Sequence, residues 1–589
     1  NIIQDEIANL NKDYKGLVTV GKSKLSVFGN FPHISIKIDD VRIYETKENN
    51  ASSIMDVQDI YVGFSLIDII SGKYDIKSLL VENGVFNIVI HANNTTNIQN
   101  ALATTTENEA ATNIHLKKIK LRNLDIHKLD EATKTDVETF IYNGKGGFKK
   151  SNDHIAAHID TEFKLNVIKD GDTTFINKKH FEIHTDLDFN ETTGVLEIKP
   201  SGILMEYSDF ELEGSLDTKN NMDLDLSIKG TKPNFDMFIA FAPANLIPVL
   251  ERYKNAGKIY FNANINGPSN KGNVPLIDVH FGASKAFLEN TAKAKRIDEM
   301  GFKGHFTNGH KRRMSTMEFS LSNITAKLEE GSFLGSMMIK NFEEPEVDMK
   351  LDADFDLDFI VKFLNLKNVD NTSGNISLNM NFHDIIDIDN PQLALNQINQ
   401  AYLIELLVKD LSITSNDLPA PLKDLNMHME MDNKGARINY FNMLMGKSDV
   451  SISGFVSDLP AIIHHTDKPI EVHLDIKSNL IDLAELTRFS KKDNKQVDEQ
   501  VTDLRLGLSF KSIAKDLTEF KNLPKGEFLI DSLHAQLKHY PHELHDFHSD
   551  ILIDDKDLNI VDFTGNIDDS DFHLNGLIHD YGFWMKKEL

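Results

Sequence analysis

The segment Val347–Phe359 reads VDMKLDADFDLDF, with an apolar residue at every second position and a charged one between each pair. Side chains alternate faces along a β-strand. Val347, Met349, Leu351, Ala353, Phe355, Leu357 and Phe359 therefore share one face, and Asp348, Lys350, Asp352, Asp354, Asp356 and Asp358 share the other. Wound at about 100° per residue, the same letters would scatter around a helix. The segment predicts a strand with one dry face and one wet face, and the functional question is what the dry face touches.

Working outward, the same pattern recurs. SDFELEGSL from Ser208, GSFLGSMMI from Gly331, SDVSISGFV from Ser448 and SDFHLNGLI from Ser570 resemble one another and are spaced about 120 residues apart. The first three are each followed by a second alternating run: MDLDLSIKG from Met222, the opening segment, and EVHLDIKS from Glu471. A short apolar stretch of helical look comes next, NFDMFIAFAP from Asn234, LDFIVKFLNL from Leu357 and LIDLAELTRF from Leu480, so the opening segment is expected to pass from strand to helix near Leu357 to Phe359. A third strand closes each unit: AGKIYFNANING from Ala256, SGNISLNMNFHD from Ser373 and VTDLRLGLSFKS from Val501. The expected organisation is an N-terminal unit over 1–100, a polar linker over 101–113, and repeats over 114–255, 256–372, 373–500 and 501–589, the last incomplete.

Composition bounds the reading. With 589 residues the chain is long enough for several domains, yet only 40% of it is apolar, as expected of sheets dry on one face only. A net charge of −27 argues against nucleic acid as a partner, because phosphates would be repelled over most of the surface. With no cysteine there are no disulfides, thiolate metal sites or cysteine nucleophile, which is compatible with an oxidising compartment. The most apolar long segment, Phe238 to Leu250, holds Pro243 and Pro248 and is too short to span a bilayer. Ile3, Ile7 and Leu10 stand at helical spacing with Gly16 beyond, so the chain opens inside an amphipathic helix, and a preceding segment is expected.

Glycines cluster at turns between the alternating runs, and no helical stretch is long enough to serve repeatedly as a crossover. The fold class is therefore mainly β with a few short helices, a long and mostly antiparallel sheet. Such a sheet must close as a barrel, pair as a sandwich or curl around something apolar.

The first hundred residues resemble the AsmA family of Gram-negative envelope proteins. The likeness lies in the amphipathic helix, then LSVFGNFPHISIKIDDVRIYE with Gly29 and Pro32, and VQDIYVGFSLIDIISGKYDIKSLLVENGVFNIVI with Leu66, Gly72, Ile76, Leu79 and Leu80. Asn97 matches the Asn that closes this block, although Asn93 to Thr96 stand where the family commonly has a Gly. The later repeats resemble the family more loosely. The resemblance implies an inner-membrane anchor not present in this chain and a body in the Gram-negative periplasm. It also implies a small α/β-type N-terminal unit followed by a twisted sheet curled into an elongated, U-shaped apolar groove. Its implied function is movement of phospholipid, or another diacyl lipid, between inner and outer membrane, with a role in outer-membrane biogenesis and lipid homeostasis and an outer-membrane or envelope protein as a further partner. A phospholipid with two chains of about 16 carbons carries on the order of 25 kcal/mol of apolar transfer free energy, so an apolar groove removes a large barrier.

The expected groove residues are Ile34, Ile36, Ile38, Leu224, Leu226, Ile228, Ile259, Phe261, Val347, Met349, Leu351, Phe355, Leu357, Ile376, Leu378, Val472, Leu474 and Ile476. The contrasting reading is a non-enzymatic structural or assembly factor for outer-membrane proteins, in which the dry faces meet each other as an ordinary core. No cofactor or metal is expected. His539, His542, His545 and His548 recur every third residue, but Pro541 opposes a helix and a strand would split them between faces, so they read as surface or turn residues. His464 and His465 read as loop, Lys311, Arg312 and Arg313 as a solvated basic loop, and the Asp ladder as a wet face without EF-hand spacing. The sequence carries none of the hydrolase, P-loop, zincin or dinucleotide motifs, and no enzyme is expected.

Overall fold

The structure is a computed structural model that describes all residues except 1, 31–32, 49–50, 66–75, 94, 105–116, 170, 174–175, 233–236, 238–251, 271–272, 368, 386–401, 433, 464, 487–497, 520–524, 555 and 582–589. Leu66, Gly72, Pro32, His464 and the Phe238 to Leu250 stretch lie outside the described residues. The protein is mainly β, 71% strand and 8% helix, and its mostly antiparallel sheet is not closed. Two compact units are present. The first comprises Asn1–Arg252, Ala256–Phe281 and Thr307–Arg312, and the second Tyr253–Asn255, Gly282–Phe306 and Arg313–Leu589.

The first unit starts with the helix Ile2–Asp13. Two short strands, Leu17–Thr19 and Ser23–Ser26, both pair with Ile34–Tyr44, which continues into Ser53–Phe64 and Ile76–Ile90. Ile76–Ile90 then pairs in parallel with Lys118–Asp130, departing from a pure meander. The connection from His91 to Lys117 makes this possible, because it is long enough to return to the same end of the sheet. From Lys118–Asp130 the ladder is antiparallel through Thr135–Ser151, His154–Lys169, Lys179–Asn190, Val195–Met205, Ser208–Asp217, Asp223–Gly230 and Tyr253–Pro268.

In the second unit each strand pairs with the next, antiparallel, from Glu318–Leu328 to Gly331–Lys340, Glu346–Asp356, Val369–Ile385 and Tyr402–Ser415. The meander goes on through Leu422–Asp432, Gly435–Met445, Ser448–Val456, Pro469–Asp482 and Gln500–Ile513. It ends among the described residues with Gly526–Leu537, Glu543–Ile553, Asp557–Ile567 and Ser570–His579.

The opening segment is a strand only to Asp356. Leu357 and Phe359, expected on the strand face, belong to a helix, Leu357–Leu364, because the Asp356 side chain accepts the Phe359 backbone N–H at 2.9 Å and caps its first turn. Alternation persists in the letters to Phe359, but the cap ends the strand. The helix buries Phe359 and Phe363, whose rings stack at 5.7 Å, over Leu328, Leu288, Ile297 and Phe333, and Asn365 closes it in the left-handed conformation.

A second device recurs inside the strands. Asp40, Asn83, Asn123, Asn323, Asp410, Asp424, Asp503 and Asp546 all have φ between 48° and 58°. Each is flanked by apolar or glycine positions two before and one after: 38 and 41, 81 and 84, 121 and 124, 321 and 324, 408 and 411, 422 and 425, 501 and 504, 544 and 547. A left-handed residue inserts one step of the chain without a pleat, as in a β-bulge, so the apolar side chains before and after it stay on one face. The pairing registers slip at several of these points, among them Leu321/Ile324 and Val408/Leu411. Asn83 and Asn123 lie side by side in the parallel pair, their amides joined at 3.2 Å.

Candidate functional site: the apolar face of the sheet

Strand register carries the apolar positions into cross-strand rows. In the second unit Met349 stands between Met337 and Phe382, Leu351 between Gly335 and Met380, Ala353 between Phe333 and Leu378, and Phe355 opposite Ile376. The rows continue: Leu378 faces Leu406, Leu406 faces Met429, and Met429 faces Ile438. Further on, Ile452 faces Ile476, Ile476 faces Leu506 and Leu506 faces Leu533. The face is thus apolar from strand to strand, and of the expected residues Met349, Leu351, Phe355, Ile376, Leu378, Leu474 and Ile476 lie on it, half-buried. Val347 is buried beside Ile339. Leu406, Met429, Ile438 and Leu506 share the face without having been singled out from the sequence. The alternation that marks their neighbours was the signal for them.

In the first unit Leu224 lies between Leu216 and Gly267, Leu226 between Gly214 and Ile265, and Ile228 between Leu212 and Ala263. Phe261 meets Phe210 edge to face at 5.5 Å, and Ile259 is buried two residues away. Ile36 pairs with Val62 and Ile38 with Ile60, and Ile38 packs on a sealed cluster of Val41, Met55, Val57, Val81, Leu124 and Ile141.

Three expected groove residues are placed differently. Leu357 is helical, as above. Val472, only 2% exposed, is covered by two short helices, Leu459–Ile463 and Ala514–Glu519, in a cluster with Ala461, Phe510 and Ala514. Ile38 contributes to the N-terminal core just described. Helices or neighbouring strands cover the sheet at these points, Val347, Ile259, Ala353 and Phe382 are buried as well, and Met349, Leu351, Ile376, Leu378 and Ile476 stay half-buried.

The polar face is ordered by cross-strand pairs of imidazole and carboxylate. His154 meets Asp188 at 2.6 Å, His158 meets Asp186 at 2.8 Å, and His184 meets Asp160 at 2.7 Å. The hydrogen bonds to Asp188 and Asp186 raise the pKa of His154 and His158, and the bond from His184 lowers that of Asp160. His542 bonds the Asp568 carboxylate, and His545 reaches Asp546 at 2.7 Å and the Asp568 carbonyl at 2.8 Å, while His548 is exposed. Asn97 is 1% exposed and ties the N-terminal block together, accepting the Val89 N–H at 3.1 Å and donating to the Asn87 carbonyl at 2.7 Å.

Comparison with protein-family models, with curated proteins and with solved structures returns no match for this chain. No described helix is long and apolar enough to cross a membrane.

Proposed function

We propose that the protein holds lipid acyl chains on the apolar face of its sheet and carries them through water between the two membranes of a Gram-negative envelope. The observation that bears this reading is the unbroken cross-strand row from Phe333, Ala353 and Leu378 to Leu406, Met429 and Ile438, apolar throughout and only partly covered by protein. An open apolar face of this extent would be costly in water unless something apolar lies on it. Acyl chains fit: each buried methylene contributes about 0.8 kcal/mol and asks for no directional partner, so side chains as varied as Met, Leu, Ile and Phe serve equally well. The polar face, rich in Asp, Glu and His, keeps the assembly soluble. The likeness of the first hundred residues to the AsmA family supports the same reading, with the sheet curled into a groove and the body in the periplasm.

The decisive experiment is mild purification of the chain followed by solvent extraction and lipid analysis. Stoichiometric phospholipid is expected, and clean protein without lipid would overturn the reading. Leu351→Asp serves as the site test, since among the described residues Leu351 belongs to none of the three sealed clusters; it should abolish lipid retention in a chain that still folds.

A further inference from the structure

On the polar face, two places in the molecule share one arrangement. In the first unit Glu162 and Glu182 stand directly opposite each other on paired strands, and His180, two residues before Glu182, reaches across to Glu162 at 3.1 Å. In the second unit Glu405 and Glu430 stand directly opposite, and His428, two residues before Glu430, lies 3.2 Å from Glu405 and 3.7 Å from Glu430. In each trio one ligand atom per residue lies within 4.8 Å of the others. Like charges directly opposite across strands repel. Among the described residues no Lys or Arg comes within ion-pair distance of any of these four glutamates.

The first unit shows what the same geometry needs when it is satisfied from within. Asp39 and Asp59 are also directly opposite, and Lys37, again two residues before one of them, bridges both at 2.9 and 2.5 Å. The opposed carboxylates there hold a cation. At the two glutamate pairs an imidazole occupies the lysine's place, and a neutral imidazole brings a lone pair instead of a charge.

We propose that Glu162, His180 and Glu182, and likewise Glu405, His428 and Glu430, each bind a divalent transition metal ion, zinc being the best fit. Two carboxylates and one neutral imidazole form a three-ligand set with a fourth position open to water, and the imidazole selects zinc over calcium or magnesium. The ion would neutralise the two carboxylates of each set, beside Lys164, which stands directly opposite His180, and Arg437, which stands directly opposite Glu430. At the second site the Asn439 amide lies 3.2 Å from His428 Nδ1. The atom facing the ring is the amide nitrogen; with the amide turned over, its oxygen would accept the Nδ1 proton and leave Nε2 for the metal. These sites lie on the face opposite to the proposed lipid surface, so the two proposals stand or fall separately.

The test uses the full, untagged chain stripped with a chelator, titrated with Zn²⁺ by calorimetry and with Co²⁺ by visible absorption. His180→Ala and His428→Ala should each remove one equivalent of bound Zn²⁺ and its share of the four-coordinate Co²⁺ spectrum, and the double variant should lose both. His548→Ala, at an exposed histidine outside the trios, should change neither. Glu182→Gln and Glu430→Gln should weaken their own sites by at least about the 10- to 100-fold that loss of an outer-shell partner costs, which keeps the test valid if a histidine variant misfolds. Equal Zn²⁺ stoichiometry in wild type and double variant would overturn the proposal. So would absence of stoichiometric binding.

Discussion

The strands around Val57 and those around Leu351 are written in the same alternating code, yet the first are sealed and the second are half-open. Val57 and Leu124 are 0% exposed, within a cluster that also takes in Val41, Met55, Val81 and Ile141. On the other side of the same strands Leu80, at 1%, and Ile54 are buried too. There Asn30 donates to the Ser78 hydroxyl at 3.0 Å and accepts from Lys120 at 3.1 Å, drawing the segment after Ser26 over the sheet. The second face of the N-terminal sheet is thus covered around Leu80 and Ser78, while Arg42 and Asp56 on the same strands stay in water. Around Leu351 one face carries Lys350, Asp352 and Asp354 in water, and the other carries Met349, Leu351 and Phe355, half-buried, beside the buried Val347 and Ala353. What separates a core from a surface for ligand is what covers the face, and the strand's own pattern does not encode the cover.

Introducing a carboxylate on each face gives the largest contrast. Val57→Asp should destabilise the fold by about 4 kcal/mol or more, because an unpaired charge would be stranded in a sealed cluster. Leu351→Asp should cost under about 1 kcal/mol by denaturant unfolding while abolishing bound lipid, and equal destabilisation by the two would erase the distinction. Next in size is Phe359→Ala, at about 3 kcal/mol, since the stacked Phe359 and Phe363 fill the one place where the opening segment's own helix covers the sheet. A chemical denaturation midpoint unchanged by that substitution would show that the helix does not cap the face.

Asn97→Ala should cost about 2 kcal/mol, for two hydrogen bonds lost at a buried site of the N-terminal block. Lipid retention at the second unit's face should be untouched. The smallest effect concerns the wet face. His154 and His158 have raised folded pKa values through Asp188 and Asp186, so their contribution to stability is fully present below the unfolded value of 6.5 and fades as pH rises through the higher folded values. Thermal midpoints measured from pH 6 to 8 should therefore fall slightly, and Asp186→Asn together with Asp188→Asn should flatten the slope.

Much of the fold was legible in the residues. The runs from Ser208, Gly331, Ser448 and Ser570 are strands, as their alternation says, and the helix after the opening segment was visible in its crowding of apolar residues. The left-handed Asp and Asn positions were written in the sequence as well, as a change of phase in the alternation: ISIKIDDVRIY keeps Ile34, Ile36 and Ile38 in one phase and Val41 and Ile43 in the other. Without the backbone that change looks like a pattern ending. The parallel step from Ile76–Ile90 to Lys118–Asp130 left no local trace, because a strand's direction relative to its neighbour depends on where the connection delivers it.

The candidate site divides the same way. Sequence alone determined that the chain is a series of strands with one apolar and one charged face, because side-chain direction alternates with a fixed period of two and needs no partner to define it. Tertiary structure alone decided which stretches of that face are open. Val472 lies beneath Ala461 and Ala514, which come from the short helices on either side of its strand, whereas Leu351, with the same local pattern, stays half-buried. It alone also brought His180 to Glu162 and His428 to Glu405, since cross-strand neighbours are set by register, and register is fixed by turns and bulges outside the strands they align.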